Sequence, residues 1–430
     1  MDTFEYRDKT LFCEKVKIED IIAQVGTPVY IYSKNAILTR YHELKTAFGD
    51  VDTLICFSVK SNSNLFICKI LAEVGSGFDV VSGGELFRVI KAGGDPSRIV
   101  FAGVGKTDSE IRYALGNDIF MFNVESLAEL EHINRLAKEA GKVTKVALRI
   151  NPDIDAKTHA KTTTGKKENK FGIDFTEAEK LIKQSAQYSG VELCGLHVHL
   201  GSPIYTVDPY VSALRKIVKL IEKCRDAGLD IEYMNIGGGY CISYTGEEVM
   251  LPKDYALKIL PLVKEMQCNL IMEPGRYITG NSGILVTRVT YTKETLHGKK
   301  FVICDAAMND LIRPALYDAF HRIWPLNASI QMPKVEDTKQ AGIKKGMELV
   351  DIVGPVCESS DVFAAQRALP KVGEGDLLAI FSAGAYGFSM SSQYNSRPRP
   401  CEVLVDGDQY RIVRKRETYE DLVKGEIFTE

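Results

Sequence analysis

Several apolar runs in this 430-residue sequence are followed by a residue that could do chemistry. The run "LICFSV" leads to Lys60, and later runs lead to Asp79, Arg149 and His199. A lysine amine can bond covalently to a carbonyl compound, and carboxylate, guanidinium and imidazole groups can bind or relay charge beside it. Because a lysine at the end of a run is more often only solvated, this chemistry requires a fold that brings these residues together.

Two further runs end in segments that contain glycine. Glycine runs usually mark turns, but backbone N–H groups without neighbouring side chains can also cradle a phosphate. An arginine close by would add a positive charge to such a cradle. The residues concerned are Gly237, Gly238 and Gly239 in "NIGGGY", and Glu273, Gly275 and Arg276 in "EPGR".

Short apolar runs alternate with amphipathic segments across residues 54–273. Within 124–142, apolar residues recur at helical spacing, as expected of a helix between two strands. Eight strands with helical crossovers favour an α/β fold of the (β/α)8 TIM-barrel type over a doubly wound sheet, which uses the same alternation. The predicted strands are Leu54–Val59, Phe78–Val81, Ile99–Ala102, Ile119–Phe122, Lys145–Ile150, Leu193–Val198, Tyr233–Ile236 and Leu270–Met272.

The sequence after Asn281 is rich in strand-like segments separated by turn residues. The segment "TPVYIYS" at 27–33 has the same character and is predicted to join their sheet. We therefore expect a barrel domain over 34–281 and a second, mainly β domain, sandwich-like or barrel-like, built from 1–33 and 282–430. The long irregular segment 151–174, after the fifth predicted strand, is typical of an active-site loop.

In a (β/α)8 barrel the carboxyl ends of the strands carry the chemistry, and the loops after strands seven and eight usually bind phosphate. A phosphate site, a strand-end lysine and a histidine able to stack on an aromatic ring together indicate pyridoxal 5'-phosphate. Glu273 beside the pyridine nitrogen would keep that nitrogen protonated, which favours decarboxylation over limited proton exchange. His197 and His199 share a strand face, but no suitable third ligand is near, so no metal site is predicted.

The composition excludes several classes of partner. The formal net charge is −3 and the pI is about 6.2, which predicts no binding to nucleic acid. No apolar run approaches the ~20 residues of a membrane span, and the charged N-terminus resembles no secretory signal. Ten cysteines without paired spacing suit reduced thiols. We therefore expect a cytoplasmic protein that neither enters a membrane nor binds nucleic acid.

The sequence resembles the fold-type III pyridoxal-phosphate-dependent decarboxylases, and within them those that act on diaminopimelate. The resemblance covers nearly the whole chain, and its stretches include "FSVKSN", "GLHVHLGSPI", "NIGGGY", "EPGRYI", "DAAMNDLIRPALYDAFH", "VGPVCESSDVF" and "AGAYGFSMSSQYNSRPRP". It implies that Lys60 carries the cofactor, His199 stacks on its ring and Glu273 pairs with the ring nitrogen. The other implied cofactor contacts are Asp79 and Arg149 at the ring, and Gly237, Gly238, Gly239, Gly275, Arg276 and Ser202 at the phosphate.

The same resemblance assigns substrate contacts in the β domain. Arg313 and Tyr317 lie four residues apart, so one helical turn would present both on one face. With Arg276 they resemble the binders of the carboxylate that the substrate retains. The remaining implied roles are a proton donor at Cys357, an amine partner at Glu358, and contact with cofactor and substrate at Tyr386.

The cofactor stretch departs from the family pattern, because Ser58 and Ser61 replace small apolar residues. Serine is close to alanine in size, so we expect tuning and not loss of function.

The implied reaction converts meso-2,6-diaminopimelate to L-lysine and CO2, the last step of lysine biosynthesis, in a homodimer with shared active sites. A sibling decarboxylase for carboxynorspermidine, ornithine or arginine is the nearest alternative, and a distal carboxylate on the substrate separates the two. Glu273 disfavours an amino-acid racemase. The intact Lys60 and Cys357 disfavour an inactive regulatory homologue.

Overall fold

The computed structural model describes residues 3–155, 170–333 and 345–428. The chain begins with a small antiparallel sheet of three strands, followed by a helix, a fully buried strand and a second helix. Most of the predicted active-site loop, residues 156–169, lies outside the described residues. The first elements are β1 Phe4–Arg7, β2 Thr10–Cys13, β3 Val16–Lys17, α1 Ile18–Val25, β4 Val29–Ser33 and α2 Lys34–Ala47.

Eight parallel strands of the described chain close into a barrel in sequence order, with the last strand pairing with the first. Each overlaps a predicted strand, so the barrel prediction is confirmed and the doubly wound alternative is wrong. The largest shift concerns the fourth strand, which starts at Met121 because the Ile119 N–H still donates to the Ala114 carbonyl of the preceding helix. The barrel strands are β5 Thr53–Ser58, β6 Gly77–Val80, β7 Ile99–Phe101, β8 Met121–Val124, β9 Thr144–Arg149, β10 Val191–His197, β11 Tyr233–Asn235 and β12 Asn269–Met272.

Amphipathic helices connect the barrel strands and bury their apolar faces. The helix predicted within 124–142 runs from Leu127 to Glu139, and Ser126 caps it by accepting a hydrogen bond from the Glu129 N–H. Its buried residues recur at helical spacing, as the sequence predicted. The helices are α3 Leu65–Glu73, α4 Gly83–Lys91, α5 Asp108–Gly116, α6 Leu127–Glu139, α7 Phe175–Gln184, α8 Asp208–Asp226 and α9 Pro252–Met266.

The C-terminal part is mainly β. Nine strands within the described ranges form one sheet, in which β4 pairs with the first strand after the barrel and with Cys401–Asp406. The prediction that 27–33 joins this sheet is therefore confirmed. The elements are α10 Arg276–Thr279, β13 Gly283–Glu294, β14 Lys300–Cys304, α11 Arg313–Tyr317, β15 Ile323–Pro325, β16 Met347–Val353, β17 Val362–Pro370, β18 Leu377–Ile380, β19 Cys401–Asp406, β20 Gln409–Arg414 and α12 Tyr419–Val423.

Internal contacts divide the chain into two compact units. The barrel unit comprises 39–242 and 249–277, and the β unit comprises 1–38, 243–248 and 278–430. Side chains from six barrel strands, including Cys56, Met121 and Ile271, fill the barrel interior with one apolar cluster. No helix in the described ranges is both long enough and apolar enough to cross a membrane.

The ends of β11 and β12 approach each other where glycine is required. A Cβ on Gly238 would stand closer to the carbonyl oxygen of Glu273 than van der Waals contact allows. Gly237 and Gly239 have φ angles of 67° and 112°, which residues other than glycine rarely adopt. The glycine run therefore lets the loop after β11 close against the end of β12.

This close approach predicts that Gly238→Ala destabilises the barrel. The added methyl group must displace backbone, and overpacking of this kind costs about 1–3 kcal/mol. Urea unfolding of the apoprotein measures the change. Gly105→Ala is the control, because its Cβ would meet nothing within 4 Å and its free energy of unfolding should barely change. Equal stability of the two variants would contradict the close approach.

Candidate active site

Lys60 lies directly after the first barrel strand, in a 3-10 turn formed by Val59–Ser61. Its Nζ atom is 2.6 Å from Oδ2 of Asp79 on the neighbouring strand β6. The lysine side chain is 34% exposed, whereas the aspartate is fully buried. The strand end therefore presents an amine whose position is fixed by a buried carboxylate and whose tip stays accessible to small molecules.

Ser58, the last residue of β5, connects three barrel strands. Its hydroxyl is 2.7 Å from Asp79 Oδ2 and 2.9 Å from the Glu273 carbonyl oxygen. Ser61 makes a different contact, since its hydroxyl donates to the Ser58 carbonyl at 2.7 Å. Of the two serines that depart from the family pattern, Ser58 thus reaches the carboxylate that holds Lys60.

The negative charge of the buried Asp79 carboxylate is only partly compensated by its neighbours. Burial raises its pKa and the charge of Glu273 raises it further, while Lys60 and the Ser58 hydroxyl act in the opposite direction. Its Oδ1 atom is buried and has no hydrogen-bond partner in the described structure. An additional donor entering the site would therefore find an acceptor here.

Glu273 follows β12 and is buried among polar side chains from three other strands. Its Oε1 accepts hydrogen bonds from the Asn123 amide at 2.9 Å and the Asn235 amide at 2.7 Å. Its Oε2 lies 3.4 Å from Nε2 of His197. Burial acts to raise the pKa of Glu273, but the nearby His197 and Lys60 hold it well below its usual value. The amide donors also favour the ionised form, so the barrel contains a fixed negative charge.

His199 is positioned by the loop after β11. Its Nδ1 atom accepts a hydrogen bond from the Gly238 N–H at 3.2 Å. Burial lowers the pKa of His199 well below its usual value, and the charges of Arg149 and Lys60 lower it further. The ring is therefore neutral, with one nitrogen already in use and its face suited to stacking on another ring.

Arg149 at the end of β9 is paired inside the barrel unit. Its Nη1 donates to Glu125 at 2.9 Å, and its guanidinium lies over the Phe171 ring at 4.8 Å. Glu129 forms a 2.5 Å ion pair with the buried amine of Lys106. The acidic residues at the start of α6 therefore neutralise buried cations in addition to favouring the helix terminus.

The residues predicted at the phosphate differ in what they can still donate. The N–H groups of Gly237 and Gly238 are engaged by Asn235 and His199. Gly239 donates its N–H to none of the described residues. The Nε of Arg276 donates to Ser202 Oγ at 3.1 Å, and Gly275 packs against the side chains of Ser58 and Ser61. Within the glycine run, the N–H of Gly239 is therefore the one that no described residue engages and that a phosphate could use.

The predicted substrate residues lie in the β unit. Arg313 begins α11 and is buried, and Tyr317 ends the same helical turn, as predicted. Tyr386 has a φ angle of 56°, a backbone conformation that is uncommon for a tyrosine.

Cys357 and Glu358 lie at the surface of the β unit. Cys357 is exposed, whereas the other nine cysteines, all in described positions, are buried. Glu358 accepts hydrogen bonds from Ser360 and from the Tyr394 hydroxyl, which lower its pKa.

The barrel unit fits pyridoxal phosphate on its own geometry. It offers an accessible amine on Lys60, an ionised carboxylate on Glu273 and a neutral ring on His199. Both amide hydrogen bonds to Glu273 go to Oε1, whereas Oε2 has beside it, among the described residues, only His197 at 3.4 Å, so a pyridinium N–H would complete the environment of Oε2. Fold and site together define the class of barrel enzymes that use pyridoxal phosphate.

Comparison with known proteins supports this class. The family described as "Pyridoxal-dependent decarboxylase, pyridoxal binding domain" matches residues 34–280. The chain is 44% identical to diaminopimelate decarboxylase of Aquifex aeolicus over 98% of this chain and 97% of that protein. It is 45% identical to the Pseudomonas aeruginosa enzyme of the same name over 99% of both.

Solved structures give the same result. Diaminopimelate decarboxylase from M. jannaschii in co-complex with L-lysine aligns with a TM-score of 0.91 at 38% identity, covering 100% of this chain and 98% of that one. The Helicobacter pylori enzyme complexed with L-lysine aligns with a TM-score of 0.88 at 41% identity, covering 95% and 98%. The chain belongs to the diaminopimelate decarboxylase family of pyridoxal-dependent decarboxylases.

The geometry also contains residues that sequence reasoning missed. Asn123 and Asn235 hold Glu273, and Glu125 holds Arg149. Each is a polar residue within or next to an otherwise apolar barrel strand, a signal that could have marked it as a site candidate without revealing its partner.

We predict that Ser58 and Asp79 are energetically coupled. Ser58→Ala and Asp79→Asn should be combined in a double-mutant cycle on urea unfolding of the apoprotein. Because the hydroxyl bonds a buried carboxylate, the coupling should be about 1.5–3 kcal/mol. Ser61→Ala combined with Asp79→Asn is the control and should be nearly additive. Additivity in both cycles would contradict the contact.

Proposed function

We propose that this protein catalyses the pyridoxal-phosphate-dependent decarboxylation of meso-2,6-diaminopimelate to L-lysine and CO2, the last step of lysine biosynthesis. The observation that carries the proposal is the buried, ionised Glu273 in the same barrel unit as the accessible amine of Lys60. Near-full-length identity of 43–45% to proteins named diaminopimelate decarboxylase supports it. The protein acts in the cytoplasm.

The Nζ amine of Lys60 would hold the cofactor by its aldehyde group. When bound, pyridoxal phosphate supplies an electron sink for the pair left behind by departing CO2. Glu273 Oε2 keeps a proton on the ring nitrogen, which deepens that sink. His199 stacks on the ring, and Asp79 and Arg149 support it from the barrel wall.

The phosphate is held at the end of the glycine run. The Gly239 N–H faces no competing acceptor in the described structure, and Gly237 and Gly238 carry no side chains that would block approach. The other residues proposed to contact the phosphate are Gly275, Arg276 and Ser202. The loops after β11 and β12 therefore retain the cofactor, whereas Glu273 acts in the chemical step.

The β unit supplies the groups that recognise substrate. Arg313 with Tyr317 and Arg276 binds the carboxylate that is retained, because guanidinium matches a carboxylate bidentately. Glu358 binds the distal amine. Cys357 Sγ delivers a proton to the carbon that has lost CO2, and Tyr386 contacts both cofactor and substrate.

We also propose that the working enzyme is a homodimer with shared sites. The cofactor domain extends over 34–281, and the β domain, from 1–33 and 282–430, provides substrate and proton-donor residues. Exposure of Cys357 at the surface of the β unit suits a donor that serves the site of a partner subunit.

The reaction is tested by incubating purified holoenzyme with meso-2,6-diaminopimelate, L-ornithine and L-arginine and measuring CO2. CO2 should be released only from meso-2,6-diaminopimelate. Arg313→Ala should raise KM for it by about tenfold or more, because a charge-assisted partner of the carboxylate is lost. Arg411→Ala, at an exposed position on β20, is the control and should leave KM unchanged. CO2 released preferentially from ornithine or arginine would replace the proposed substrate.

The shared site predicts complementation between inactive subunits. Lys60→Ala and Cys357→Ala proteins should each be nearly inactive. After verified subunit exchange, about half the dimers are mixed and each contains one intact site, so roughly a quarter of wild-type activity should return. Exchange without recovered activity would place both residues in the site of a single chain.

A further inference from the structure

Arg313 has an unusual environment for a buried cation. It is 6% exposed, and no carboxylate of the described chain lies within ion-pair distance of it. Its contacts are Nε2 of His321 at 3.1 Å and the ring of Tyr244, whose centroid is 5.2 Å from Cζ. Both neighbours belong to the β unit and neither neutralises the guanidinium. A buried charge without a counter-ion is costly unless a ligand supplies one.

The protonation of His321 follows from the described hydrogen-bond partners of its two ring nitrogens. The ring is fully buried, and Nδ1 lies 2.8 Å from the carbonyl oxygen of Phe381. A carbonyl can only accept, so Nδ1 carries a hydrogen. A guanidinium can only donate, so Nε2 must present a lone pair to Arg313. His321 is therefore a neutral acceptor with its hydrogen on Nδ1.

The backbone around His321 is held from both sides. Arg367 donates to the His321 carbonyl at 2.9 Å and stacks on Phe320 at 4.2 Å. The Phe381 N–H donates to the Arg322 carbonyl at 2.8 Å. This hydrogen bond fixes the Phe381 backbone, whose own carbonyl orients the His321 ring. The ring of Tyr244 stands edge-on to His321 at 5.8 Å. The imidazole is therefore a rigid support for the guanidinium.

We propose that His321 is a positioning residue that makes Arg313 selective for a carboxylate, an inference that rests on the proposed function. It fixes one N–H of the guanidinium and leaves the positive charge uncompensated. The remaining N–H groups then bind the carboxylate that the substrate and product retain. An acidic residue in the same place would orient Arg313 equally well but would remove the charge on which recognition depends.

The test compares His321→Gln with His321→Glu in the holoenzyme. The two side chains are similar in size and both accept a hydrogen bond, but only glutamate brings a charge. The probes are L-lysine and cadaverine, which differ by one carboxylate, as competitive inhibitors of CO2 release. His321→Gln should keep the inhibition constant of L-lysine within about threefold. His321→Glu should raise it by on the order of tenfold or more, with cadaverine unchanged in both.

Equal L-lysine affinity in the two variants would overturn the role of His321, as would equal weakening of both probes. The Arg313→Ala variant distinguishes failure of the proposed carboxylate site from failure of the positioning role of His321. If it leaves L-lysine binding unchanged, the proposed carboxylate site itself fails. If it weakens L-lysine and His321→Glu does not, only the positioning role fails.

A second measurement needs no active variant. In wild-type holoenzyme labelled with 15N-histidine, His321 should show the neutral tautomer with hydrogen on Nδ1. Hydrogen on Nε2, or on both nitrogens, at neutral pH would overturn the proposal even if His321→Glu fails to fold. Loss of the signal in His321→Gln assigns it.

Discussion

A carboxylate that stays ionised inside a closed barrel is the constraint on which the catalytic half of this protein depends. Transferring such a charge from water is costly, and hydrogen-bond donors must replace the water it loses. The donors to Glu273 come from β8 and β11, and His197 comes from β10. These side chains meet only because β12 pairs with both β11 and β5, closing the barrel. Barrel closure and the electrostatics of the site are therefore one requirement.

The sequence predicted the eight barrel strands because each is a short apolar run, whereas the segments between them repeat their apolar residues at helical spacing. It also predicted Lys60 and Glu273 as candidate site residues, since each follows such a run at the end where barrel chemistry occurs. It could not predict the supports of Glu273. Asn123 is 150 residues away along the chain, and a single polar residue within a strand does not reveal its partner. Glu125 and Glu129 are acidic residues near the start of a helix, where they are common, and only the fold shows the cations they neutralise.

Two buried groups, Glu273 in the barrel unit and Arg313 in the β unit, have opposite surroundings. In the barrel unit the carboxylate of Glu273 has internal donors, and Arg149 and Lys106 each have an acidic partner. In the β unit Arg313 has a neutral imidazole and an aromatic face instead. Internal hydrogen-bond donors suit a charge, such as that of Glu273, that must remain fixed through every turnover. Incomplete compensation suits a charge whose counter-ion arrives with the substrate, so the difference separates chemistry from recognition.

The central claim, that an ionised Glu273 drives decarboxylation, is tested most directly by Glu273→Gln. The amide oxygen can still accept from Asn123 and Asn235, so the variant removes the charge and preserves the packing. Turnover of meso-2,6-diaminopimelate should fall on the order of a hundredfold or more, while cofactor content stays at the wild-type level. An unchanged kcat in a variant that retains its cofactor would contradict the claim and would remove the basis for preferring a decarboxylase to a racemase.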